Sequence, residues 1–129
     1  MSVSEVKELI GKDKFARYCG IELTDVTEGA AAARMEILPE HLNGVGIVQG
    51  GVLYTLADLT LAAAANSYGV TAVTLTGNIA YFKAESSGML YAEAKELSLH
   101  RVVATYQVNI TNGENELIAV AQGTVYRKV

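Results

Sequence analysis

Over residues 50–67 Leu53, Leu56, Ala57, Thr60, Leu61 and Ala64 recur at helical spacing, with Asn66 and Gly69 as stop signals. The run Ala62 to Ala65 makes this helix thin, so a neighbouring backbone can approach it closely. After Gly69 the chain reads as strand, over 72–84, 89–99, 101–111 and 117–127, with breaks at Glu85 to Gly88, Leu99-His100 and Asn112 to Asn115. One thin helix beside this much strand leaves few solutions. It must cover one face of an antiparallel sheet, and a strongly curved sheet wraps it best, which makes the class α+β. Such a sheet has edge strands, and these invite a partner subunit.

The segments ahead of the long helix agree. Ser2-x-x-Glu5 reads as a capping box before Val6, Leu9 and Ile10, so a short helix starts there and is interrupted at Gly11. A further turn over 15–18 stops at Gly20. Residues 21–27 alternate, turn at Glu28-Gly29 and resume over 30–37, which is a hairpin. Residues 39–48 hold Pro39, Asn43-Gly44 and Gly46 and read as a loop. No repeat or linker divides the 129 residues, so one domain over 1–129 is expected.

Ten Lys plus Arg against fourteen Asp plus Glu give a net charge of −4, with no basic block. That disfavours nucleic acid as a partner, because such binding rests on phosphate neutralisation. Cys19 is the lone cysteine and reads as a small buried hydrophobe, and His41 and His100 are the only histidines, so no metal site is expected. His41, isolated in its loop, reads as a surface residue. No basic, apolar leader opens the chain, and its most apolar stretch, 59–65, is short of a membrane span. A cytoplasmic protein without membrane partners is expected.

The informative segment runs from Asn43 through Gln49, Gly50, Gly51 and Tyr54 to Asp58. The unpaired amides of a helix N-terminus and the helix dipole favour a developing negative charge. Glycine at 50 and 51 lets a substrate carbonyl reach the backbone N–H, which suits an oxyanion site. Gly51 and Asp58 lie seven residues apart on one helical face, about 10 Å along the axis at 1.5 Å per residue. That is too far for both to touch one reacting carbon, so the simplest arrangement pairs Gly51 of one subunit with Asp58 of another. Taken alone, the two glycines fit a tight loop-to-helix junction as well as a site.

With those residues in place a resemblance emerges. Asn43, Gly46, Gly50, Gly51, Leu56, Ala57 and Asp58 match the pattern Asn-x-x-Gly-x-x-His-Gly-Gly-x-x-x-x-Leu-Ala-Asp. That pattern marks hotdog-fold acyl-CoA thioesterases, in particular the phenylacetyl-CoA thioesterase-like (PaaI-like) group of the 4-hydroxybenzoyl-CoA thioesterase superfamily. The likeness continues through Val73 to Lys83, Ala92-Glu93-Ala94, His100-Arg101 and Ala121 to Thr124. The resemblance implies a long helix wrapped by a curved antiparallel sheet, in homodimers or homotetramers with active sites shared between subunits and no cofactor. It implies Asp58 as the carboxylate that attacks the thioester or activates water, and Gly51 as the N–H donor to the thioester oxygen. Asn43 would orient substrate or water, and Thr74 would hold the water beside Asp58. Lys83, His100 and Arg101 would meet the nucleotide and phosphates of coenzyme A.

Gln49 departs from the pattern, which has His there. An amide donates and accepts hydrogen bonds but shuttles no proton. For Tyr54, Tyr81 and Phe82 two readings stand, an acyl pocket or core packing. The leading expectation is hydrolysis of an acyl-CoA to a carboxylic acid and CoA. Its rivals are a non-catalytic acyl-CoA binding or sensing module and, more remotely, a hotdog hydratase or dehydratase, whose sites pair a carboxylate with His.

Overall fold

The computed structural model describes residues 2–129, with Met1 outside it. Two short helices, α1 (Val3–Gly11) and α2 (Lys14–Cys19), lead into the hairpin β1 (Ile21–Thr27) and β2 (Ala30–Glu36). A single 3-10 turn at Pro39–His41 and an irregular loop precede α3 (Gly50–Asn66). Four strands follow, β3 (Ala72–Tyr81), β4 (Met89–Leu99), β5 (Val103–Asn112) and β6 (Leu117–Arg127). The capping box forms as the sequence predicts, since Ser2 Oγ accepts from Glu5 N and Glu5 Oε1 accepts from Ser2 N.

All six strands join one antiparallel sheet in the order β1-β2-β4-β5-β6-β3. Helix α3 lies in the concave face and touches every strand, while α1 and α2 cover its other side. It is therefore apolar almost all round in its second half, where Leu59, Thr60, Leu61, Ala63, Ala64 and Ala65 are all buried. This is the α+β hotdog arrangement. The sheet is pared down to match: a Cβ on Gly123 would stand 2.6 Å from Leu61 Cδ1, and the Tyr54 hydroxyl occupies the place a Cβ would take on Gly77. Glycine at both points lets the helix settle onto β3 and β6.

Strand β3 is shorter than the alternation suggests. After Tyr81 the chain leaves the sheet, because Phe82 N and Lys83 N both donate to the single carbonyl of Ile118, at 2.8 and 3.3 Å. β3 is also an edge strand, with Val73 and Leu75 about half exposed. No helix among the described residues is long and apolar enough to cross a membrane.

Ala64 is fully buried under the sheet. Ala64→Leu should lower unfolding free energy by about 1–3 kcal/mol through overpacking. Urea titration followed by circular dichroism measures it, and an unchanged midpoint would contradict the close helix–sheet contact.

Candidate active site

The loop ahead of α3 is tied down by side chains. Asn43 Oδ1 accepts from Val45 N (3.0 Å) and Ile47 N (3.3 Å), and Asn43 N donates to Ile47 O (2.8 Å), so the segment closes into a turn. His41, expected at the surface, is instead 5% exposed. Its Nε2 lies 2.8 Å from Cys19 O, and Nδ1 accepts from Leu38 N at 3.0 Å. Burial follows from the Pro39 turn, which brings its ring inward onto the end of α2. Cys19 is buried too, and burial raises its thiol pKa, with a smaller contribution from Asp13, as suits a packing residue.

Gln49 is the N-cap of α3, in extended backbone, with its N–H donating to His41 O at 2.9 Å. Its side-chain Oε1 lies over Gly51, 2.6 Å from where a Cβ would stand. The glycine thus leaves the amide room beside the first N–H groups of the helix. Tyr81 OH donates to Gly50 O at 3.0 Å, joining the end of β3 to the start of α3.

Asp58 sits two turns further on, on the same face as Gly51. It reaches solvent, yet enough protein surrounds the carboxyl that lost hydration raises its pKa. Thr74 opposes that shift by hydrogen bonding, with Oγ1 at a long 3.5 Å from Asp58 Oδ1, and the negative charge of Asp13 adds to the rise. Thr74 borders a bulge, since the β3–β6 register slips between Thr74 and Thr76. A bulge re-aims the side chain beside it. Between α3 and β3 a slot of about 10 Å³ is left beside Asp58, Thr74, Tyr54 and Gly77. On the open side a cleft of about 410 Å³ joins Gly51 and Asp58 and is walled by Asp13, Phe15, Tyr54, Thr55 and Leu59.

A second cavity, about 450 Å³, opens at the start of α3 among Asn43, Gly50, Leu53, Tyr81, Phe82 and Lys83. Tyr81 and Phe82 are 51% and 60% exposed, so neither packs in the core of its own chain. Tyr54 spans both readings, filling space over Gly77 and lining the cleft. Lys83 is held by two carboxylates, Glu85 at 3.5 Å and Glu116 at 3.8 Å.

The three cations grouped in the sequence reading do not gather within one chain. Lys83 follows Tyr81, which pairs with Ala119. His100 and Arg101 instead offer their carbonyls to Arg127 Nη1, each at 3.1 Å, and Arg127 pairs with Ala72. The length of β3 separates them, about 30 Å at 3.3 Å per residue.

Asp13, Phe15, Thr55 and Leu59 line the candidate cleft without having been singled out from the sequence. Asp13 betrayed itself only as a helix cap, its carboxylate accepting from Ala16 N at 3.0 Å. Among the described residues no group of three or more His, Cys, Asp or Glu side chains is placed to hold a metal ion.

Comparison with known proteins identifies the family. Residues 45–119 match the family model of the thioesterase superfamily. The chain belongs to the thioesterase superfamily. It is 41% identical over 127 residues to a protein of Archaeoglobus fulgidus, an alignment covering 97% of this chain and 82% of that one. It is 30% identical over 116 residues to the acyl-coenzyme A thioesterase PaaI of Escherichia coli, covering 89% and 83%. The structure of E. coli PaaI superposes with a TM-score of 0.92 at 27% identity, over 99% of this chain and 97% of that one. A Streptococcus mutans protein bound to acetyl CoA superposes with a TM-score of 0.80 at 25% identity, over 84% and 88%. This hotdog-fold thioesterase is therefore a hydrolase of the PaaI-like kind.

The raised Asp58 carboxyl carries a cost in stability for this thioesterase. The folded state holds the proton more tightly than the unfolded chain, so ionised Asp58 destabilises the fold at neutral pH. Asp58→Asn should raise Tm at pH 7, and the gain should shrink as pH falls through the carboxyl's raised pKa. Thermal melts across pH 4 to 8 measure this, and a gain that grew on acidification would contradict it.

Proposed function

We propose that the chain hydrolyses acyl-CoA thioesters to a carboxylic acid and CoA, with each active site built from two subunits. The observation that carries this reading is the placing of Gly51 and Asp58 on one face of α3. The first offers an N–H at the positive end of the helix, and the second a crowded carboxylate beside Thr74. The acetyl CoA held by the S. mutans relative and the acyl-CoA activity named for E. coli PaaI support coenzyme A thioesters as the substrate class.

The thioester oxygen would accept the Gly51 N–H, where the helix dipole stabilises the oxyanion as it forms. Asp58 of the partner subunit would act from the opposite face. As general base it takes a proton from water while the water oxygen bonds to the carbonyl carbon. The carbon–sulfur bond then breaks, and the proton passes to the departing CoA sulfur. The alternative is direct attack by Asp58, which forms a mixed anhydride that water then opens. The slot beside Thr74, about large enough for one water, supports the general-base route. Gln49 would hydrogen bond the carbonyl, and Asn43 would hold the loop that carries it. Tyr54 and Phe15 would flank the acyl group, and Gly50, Tyr81, Phe82 and Lys83 the entrance.

Two subunits are required because Gly51 and Asp58 of one chain are about 10 Å apart along the helix. The exposed edge of β3, with Val73 and Leu75 outward, is where a second copy would join. His100 and Arg101, distant from Lys83 within a chain, would meet coenzyme A only through such an assembly.

Free-thiol release from short, medium, long and aromatic acyl-CoAs tests the activity. Asp58→Asn should lower kcat by about 100-fold or more. The wild-type kcat/KM should fall on the acid side, with an apparent pKa raised above that of an ordinary aspartate, and Asp58→Asn should lack that limb. No release from any acyl-CoA, with binding intact, would assign the fold to holding thioesters and Gln49 to the loss of catalysis.

Subunit sharing has its own test. Gly51→Val and Asp58→Asn chains, inactive alone, should recover about a quarter of wild-type activity when unfolded together and refolded in equal amounts, because each mixed dimer holds one intact site. Persistent inactivity of the mixture would place both residues of a site in one chain.

A further inference from the structure

We propose that His41, fixed as the Nε2–H tautomer, is a positioning residue that holds both walls of the Gly51–Asp58 cleft in register; its effect on turnover rests on the thioester-hydrolase reading above. The tautomer follows from its partners. Cys19 O can only accept, so Nε2 at 2.8 Å must carry the proton, and Leu38 N–H can only donate, so Nδ1 at 3.0 Å must be the lone pair. With 5% exposure, the ring has little access to water.

The Nε2 bond reaches α2, the Nδ1 bond fixes the ring to its own turn, and the backbone carbonyl of the same residue reaches the start of α3. Cys19 is the last residue of α2, the helix whose N-cap Asp13 and whose Phe15 line the cleft around Asp58. The carbonyl that His41 reaches is one of the α2 C-terminal carbonyls left without an intrahelical partner. On the other side, His41 O accepts from Gln49 N at 2.9 Å, and the Leu42–Val48 bridge closes the loop between them. Gln49 caps α3, so its setting fixes the direction of the N–H groups at Gly50 and Gly51. One residue, through its imidazole on one side and its backbone carbonyl on the other, therefore connects the wall bearing Phe15 to the helix start that would bear the oxyanion donor. An apolar residue of similar size would fill the space and leave Cys19 O and Leu38 N unpaired, a cost that falls on those two elements.

Two isosteric variants separate the bonds. His41→Gln keeps an N–H near the Nε2 position, and His41→Asn keeps an acceptor near Nδ1. In both, kcat should fall about tenfold or more, since a displacement of the donor by a fraction of its contact distance is felt in the transition state. KM should change by less than about threefold, because binding contacts to the substrate are left in place. The amide resonances of Gln49 and Gly51 should move in both variants, while far-ultraviolet circular dichroism and assembly size stay as in the wild type. Nitrogen-15 spectra of the wild-type chain should show a protonated Nε2 and an unprotonated Nδ1.

An Nδ1–H tautomer or an imidazolium at neutral pH would overturn the proposal. So would variants that melt earlier yet keep wild-type kcat well below their melting temperature, since His41 would then only fill space. If the wild-type chain releases no thiol from any acyl-CoA, the hydrolase reading fails. In that case the tautomer and the Gly51 resonance still decide the role of His41.

Discussion

The contact between α3 and the concave face of the sheet is the one on which the rest of the structure depends. Ala57, Ala63, Ala64 and Ala65 are all at most 1% exposed, and where larger residues Tyr54 and Leu61 face the strands, Gly77 and Gly123 give way. Helix and sheet are thus narrowed on both sides of one seam. A seam this tight has little freedom to slide, because interiors at this density resist a change of even one methylene. Whatever is built on the exposed stripe of α3 inherits that rigidity.

What is built there is a line of three groups, Gly51, Tyr54 and Asp58, spaced by single turns and flanked by α2 on one side and β3 on the other. Rigid elements suit a site that works by preorganised donors, since the oxyanion gains most from an N–H that need not move. The same rigidity keeps Gly51 and Asp58 of one chain apart. The unpaired edge of β3 lies beside Asp58, so the surface that a second subunit would cover is also the one beside which the carboxylate waits. Assembly and catalysis are therefore one design problem in this reading. The crowding that lifts the Asp58 pKa is a local loss of stability, which under the proposed mechanism would be exchanged for a stronger base.

Much of the fold was legible because its signals are periodic and local. The α3 spacing, the β1–β2 hairpin and the Ser2 capping box all appear where the residues indicate. The end of β3 was not legible, since the apolar run continues through Phe82 while a distant carbonyl, Ile118 O, draws the chain out of the sheet. His41 was misread for a related reason: Cys19, which holds its Nε2, lies 22 residues away. The shared face of Gly51 and Asp58 on α3 was legible from helical spacing alone. The Thr74 bulge and the separation of Lys83 from His100 depend on strand register, and the Phe15 wall on how α2 packs against α3, neither of which any single segment contains.

The most direct test of the account is a crystal structure with an acyl-CoA analogue in which a ketone replaces the thioester. The account predicts the ketone oxygen within hydrogen-bond distance of Gly51 N of one subunit, and its carbonyl carbon facing Asp58 of the other. A ketone held by Gly51 and Asp58 of the same chain, or bound away from the start of α3, would contradict it.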